Sequence, residues 1–177
     1  MVNYFKFDMM KLFFLLLFMS FIIRCTDDDL SIGLHPYTGS QLKIDGYFYL
    51  KKDAYFYNIH FFYSNGVVLA AGGNFFSEAE MESYINKEFI DNKQYQKNKT
   101  SWGVFKIENN FIQFERWHPS KPPLATYIRS GEILNDTTFQ ITKSWPSTKE
   151  KNVSDENETY HFKKFSSKPD STNSFVK

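Results

Sequence analysis

Arg116-Trp117-His118, followed at once by Pro119, is the most distinctive polar and aromatic cluster of the chain. A guanidinium beside indole and imidazole rings suits a ligand that stacks and offers hydroxyls or negative charge. Together with Trp102 and Trp145, the cluster predicts a stacking surface for a sugar or a lipid. The competing expectation is that the tryptophans simply plug one end of the fold. Arg116, Trp117, Trp102 and Trp145 are therefore the candidate ligand-binding residues.

Catalytic chemistry finds little footing. The four histidines are His35, His60, His118 and His161, and none sits at the spacing of a metal-binding pair. Only His60 and His161, on separate predicted strands, could meet in space. Asp45, Glu108, Glu115 and Glu132 fall on or near strands, but nothing marks two of them as facing partners for hydrolysis. No serine lies in a nucleophile elbow, and no glycine-rich loop opens a helix. The expectation is a chain that is not an enzyme, binds no metal and needs no cofactor, with a hydrolase as the remote alternative. The formal net charge is +1, and no basic block is present, which argues against nucleic acid.

Cys25 is the only cysteine. A disulfide within the chain is therefore excluded, as is a thiolate metal cluster. The residue follows Lys11 and the apolar run Leu12 to Ile23, which is too short to span a bilayer but suits the core of a signal peptide. Ile22-Ile23-Arg24-Cys25 resembles the lipobox of bacterial lipoproteins, with Arg24 where that family usually has a small residue. The resemblance implies that the Cys25 thiol takes a diacylglycerol and that the chain is cut before it. Thr26-Asp27-Asp28-Asp29 is similar to the acidic signal that surface-exposed lipoproteins of the Bacteroidota carry after the acylated cysteine. An anchor of two or three acyl chains holds firmly in a membrane, at roughly 0.8 kcal/mol per buried methylene. The implied location is the cell envelope, anchored to the outer membrane and facing outward. Four Asn-X-Ser/Thr triplets, at Asn98, Asn135, Asn152 and Asn157, keep open a secreted glycoprotein instead.

The elements that must position these residues are mostly strands. Aromatic residues make up 19% of the chain, which favours pleated, half-buried surfaces. Alternation predicts strands over 42–50, 55–63, 67–71, 101–108, 111–118, 124–134, 137–145 and 158–165. Asn65-Gly66 between apolar runs predicts a type I′ hairpin. One segment breaks the period: over 77–90, Met81, Tyr84, Ile85 and Phe89 recur at three and four residues. Ser77 and Glu80 there form a capping box. Residues 146–157 read as a polar loop.

The reading is a mainly β, antiparallel up-and-down meander of about eight strands, with one helix inserted after the third. Eight strands suffice to close a barrel and remove its edges. The segments WGVFKIENNFIQFERW and GEILNDTTFQITKS resemble small lipocalin-like lipoproteins of the Bacteroidota, over roughly 42–165. The resemblance implies a lipocalin-like barrel. The Gly-X-Trp mark of lipocalins is missing from the first strand, so no binding residue is carried over. Domain organisation is then 1–24 signal peptide, 25–41 acylated cysteine and flexible acidic tether, 42–165 barrel, and 166–177 disordered tail. The expected role is non-catalytic: binding a small apolar or sugar-like ligand, or a surface protein partner. The alternative is a structural or interaction lipoprotein with a fully packed barrel.

Overall fold

The computed structural model describes residues 27–177 except 121, 150 and 167. The segment expected as a signal peptide and Cys25 lie outside the described residues. Eight strands follow one another: β1 (Gly46–Lys51), β2 (Phe56–Phe62), β3 (Val67–Asn74), β4 (Trp102–Glu108), β5 (Phe111–Trp117), β6 (Thr126–Asn135), β7 (Thr138–Pro146) and β8 (Ser154–Lys164). Each pairs antiparallel with the next, and β8 pairs back onto β1 with Phe48 opposite Phe162. The barrel is closed, so no strand is left with an unpaired edge. Among the described residues the one α-helix, α1 (Glu78–Ile85), stands between β3 and β4. Its N-cap Ser77 accepts a hydrogen bond from the Glu80 amide, and the Glu80 carboxylate takes the Phe76 amide in return.

The aromatic residues fill two layers. Every strand sends a side chain into the interior, where Phe48, Phe62, Phe105, Phe114, Phe139 and Tyr160 pack at almost no exposure. Phe139 and Tyr160 stack face to face at 4.8 Å. The second layer lies outside the wall of β1–β4. There Tyr47, Ile59, Phe61 and Trp102 are covered by Met81, Ile85 and Phe89 from α1 and the π-helical turn that prolongs it, Asn86–Asp91. This explains why β2 carries apolar residues on both faces: one face looks into the barrel and the other meets the helix.

Several local expectations change. The 63–66 turn has only Gly66 in the left-handed region, at φ +85, so it is not the type I′ turn predicted. The Gly66 amide donates to the Tyr63 carbonyl, and glycine there answers a second demand: a Cβ would stand 2.3 Å from the His35 carbonyl oxygen. β8 begins at Ser154, inside the stretch read as a loop.

The segment expected as a tether is laid down on the barrel. Residues 27–34 run along the outside of β4 and β5, held by Glu115, whose Oε2 accepts from the Ser31 amide (2.7 Å), the Ser31 hydroxyl (3.0 Å) and the Ile32 amide (2.7 Å). The chain then passes under the barrel, where Tyr37 and Leu42 join the interior cluster and close its lower end. The segment expected as a disordered tail is likewise seated. Lys168 Nζ donates to the Ile44 carbonyl (2.6 Å) and to that of Phe62, and Phe175 and Val176 pack against the outer layer. Burial draws the Lys168 ammonium down to about 8. Few apolar residues suffice to dock these segments, because backbone groups and single buried charges do most of the holding.

Candidate functional site

The two ends of the barrel differ. The lower end is filled by the phenylalanines and by Tyr37 and Leu42. At the upper end, where β5 ends and β6 begins, the inner wall turns polar. Along β5, Ile112, Phe114 and Arg116 face inward while Gln113, Glu115 and Trp117 face outward. Arg116 stands opposite Gly103 on one side and Tyr127 on the other, and Phe114 stands opposite Arg129. Gly103 makes room for the guanidinium stem: a Cβ there would meet Arg116 Cγ at 2.5 Å. Past Arg24, Arg116 and Arg129 are the only arginines in the chain, and both line this mouth.

Their situations are unequal. Arg129 pairs with the buried carboxylate of Glu158, which also takes Lys52 Nζ at 3.0 Å and the Tyr160 hydroxyl at 3.1 Å. Burial alone would raise the Glu158 carboxyl, but Arg129, Lys52 and Tyr160 outweigh it and hold the group below its ordinary value. Burial works against the Arg129 charge as well, yet Tyr160, Glu158 and Glu156 hold its value raised. Arg116 is half-buried and makes no hydrogen bond or ion pair among the described residues. Burial lowers it to about 10, with Arg129 adding repulsion and Tyr160 opposing. A guanidinium carries five donors, and holding it half-buried without a carboxylate is costly.

Beneath Arg116 lies His60, only 2% exposed and ringed by Phe62, Phe114 and Tyr160 at 5.0–6.1 Å. Neither ring nitrogen has a partner among the described residues. Burial, with Arg116 and Arg129 nearby, holds its pKa well below the usual value, so the ring is neutral. His60 pairs with Phe48 and His161 with the next residue, Tyr49, so the two histidines face opposite sides of the wall and do not meet. Among the described residues no group of three His, Cys, Asp or Glu could hold a metal.

The tryptophans do not join Arg116. Trp117 is its neighbour in sequence and so faces the other way, with its indole N–H on the Asp28 carbonyl at 2.7 Å. Trp102 is wholly buried in the outer layer, donating to the Gln96 carbonyl at 2.9 Å. Trp145 stands opposite Ile128, also on the outer wall. They neither form one stacking surface nor plug the barrel. Strand alternation is the physical reason: on β5 a guanidinium and an adjacent indole cannot share a face. His118 is exposed, against the ring of Tyr127 at 5.0 Å.

Trp117 does border a second space, a cleft of about 430 Å³ between the outer wall and the two terminal segments, lined by Leu30, Ile32, Lys99, Phe175 and Val176. Sequence reasoning missed Arg129, Glu158 and His60 as companions of Arg116. The signal that finds them is register: each lies on the inward parity of its own strand. No known family, no curated protein and no solved structure matches the chain.

Proposed function

We propose that this chain is a lipid-anchored envelope protein, held in the outer membrane through an acylated Cys25, whose barrel mouth binds a small ligand carrying a negative charge. The observation that carries the reading is Arg116, a half-buried guanidinium with no partner among the described residues, beside Arg129, which has one. A carboxylate or phosphate accepts two parallel hydrogen bonds from such a fork, and Tyr127 at the mouth offers a hydroxyl to the rest of a sugar-like ligand. An acidic sugar meets both features. The aromatic packing below the mouth keeps the ligand shallow and the site preorganised. The role is binding without catalysis, since the one buried inward carboxylate among the described residues, Glu158, is already committed to Arg129 and Lys52.

A second reading places an apolar ligand in the outer cleft, favoured by its lining of Leu30, Ile32, Phe175 and Val176. Nuclear magnetic resonance of the arginine Nε–Hε groups in residues 26–177 separates the two. Glucuronate should move the Arg116 signal saturably and leave Arg129 nearly still, while glucose moves neither. Equal, unsaturable drift of both signals would contradict the mouth as an anion site. The anchor is tested apart: fatty-acid labelling should disappear in Cys25→Ala.

A further inference from the structure

Asp27 and Asp28 are fixed at the mouth end of the wall. The Asp28 amide donates to the Leu124 carbonyl and the Leu124 amide to Asp27 Oδ1, each at 2.8 Å. Lys99 Nζ reaches Asp27 Oδ2 at 2.8 Å. Leu124 stands just before β6, and Trp117, which holds Asp28, is the last residue of β5. Cys25 precedes Asp27 by two residues, and two residues span at most about 7 Å. The strands run for 6 to 11 residues, which puts roughly 20 Å or more between the ends of the barrel. An anchor on so short a leash holds one end of the barrel and not the other.

That end also carries apolar groups in water. Phe76 is 80% exposed, Tyr55 53% and Val153 48%. They come from three separate connections: β1 to β2, β3 to α1, and β7 to β8. The Tyr55 and Phe76 rings meet edge to face at 5.2 Å. The Tyr55 ring, apolar with a hydroxyl tip, suits the boundary between lipid and water, and Phe76 adds exposed apolar area beside it.

We infer that the mouth end of the barrel is the surface that lies on the bilayer holding Cys25, with Tyr55, Phe76 and Val153 touching the lipid boundary. The inference rests on the reading of Cys25 as acylated. It places the Arg116 cup beside the headgroup layer and turns the Asn109-Asn110 and Asn135-Asp136 turns outward.

The test uses the full chain, acylated in cells and reconstituted in vesicles of phosphatidylethanolamine and phosphatidylglycerol that carry a nitroxide-labelled lipid. A fluorophore is attached through Val153→Cys at the mouth, or through Leu134→Cys near the opposite end of β6. Quenching should be at least threefold stronger at position 153, and a Tyr55→Ser/Phe76→Ser background should weaken it. Equal quenching at both positions, or stronger quenching at 134, overturns the inference while leaving the anchor intact. The mass of the chain reads the anchor separately: an unmodified Cys25 overturns the anchor and the membrane-facing mouth with it.

Discussion

His60 shows what a single buried side chain does to the molecule. Its ring is neutral because burial, Arg116 and Arg129 all oppose the charged form. In the unfolded chain it titrates near its ordinary value of 6.5. A base whose native pKa is depressed leaves the unfolded state holding more protons, so stability rises with pH between the native and unfolded values. It falls as the pH drops below about 6.5. The loss from this one group accumulates as the pH falls below about 6.5 toward the native value. Glu158, held below its ordinary value, contributes its own loss at more acid pH. Denaturant titrations of His60→Leu should show the pH 5–7 slope flattened. Stability at pH 7 should stay within about 1 kcal/mol of the parent, because no hydrogen bond is given up. An unchanged slope would mean that His60 takes its proton in the native state. Arg116 belongs to the same scale. The sequence marks it by its neighbours Trp117 and His118, yet it works with residues on other strands. The residue was legible and its partners were not, because alternation sends adjacent side chains to opposite faces.

Among the elements, those with regular alternation were the readable ones. β5 and β7 match their patterns because the lower interior is apolar, and β2 because it is apolar on both faces, one inside the barrel and one under the helix. β8 was half-hidden for the converse reason. Its first residues, Ser154 to Asn157, lie where the interior is itself polar, so no apolar period marks them as strand. Ser144 and Glu156 hydrogen-bond there at 2.6 Å, tying β7 to a stretch of β8 that sequence polarity reads as loop. The segment 27–34 was unreadable from periodicity, since it is held by polar contacts with distant residues, Glu115 at Ser31 and Ile32 and Leu124, Lys99 and Trp117 at Asp27 and Asp28. Glu115→Ala should release it, leaving three donors of the segment unpaired, at a cost of about 2–3 kcal/mol. Limited proteolysis should then cut near Leu34 about tenfold faster, while the barrel strands stay protected. Unchanged protection at Leu34 would mean that Trp117 and Lys99 hold the segment without Glu115.

At the scale of the whole molecule, closure decides the division of labour. Eight antiparallel strands leave no edge, and the aromatic residues pack the lower interior and the wall under α1. Both terminal segments are spent on covering the wall and the lower end. That leaves the mouth, where the chain keeps both of the arginines beyond Arg24. The claim that this mouth holds an anionic ligand is tested most directly by native mass spectrometry of residues 26–177, purified gently from cells, beside Arg116→Met. The account predicts extra mass on the parent that leaves on denaturation and is absent from the variant. A bare parent mass, or the same extra mass on Arg116→Met, would contradict it. The first result would make the barrel a packed interaction module, and the second would move the ligand to the cleft beside Trp117.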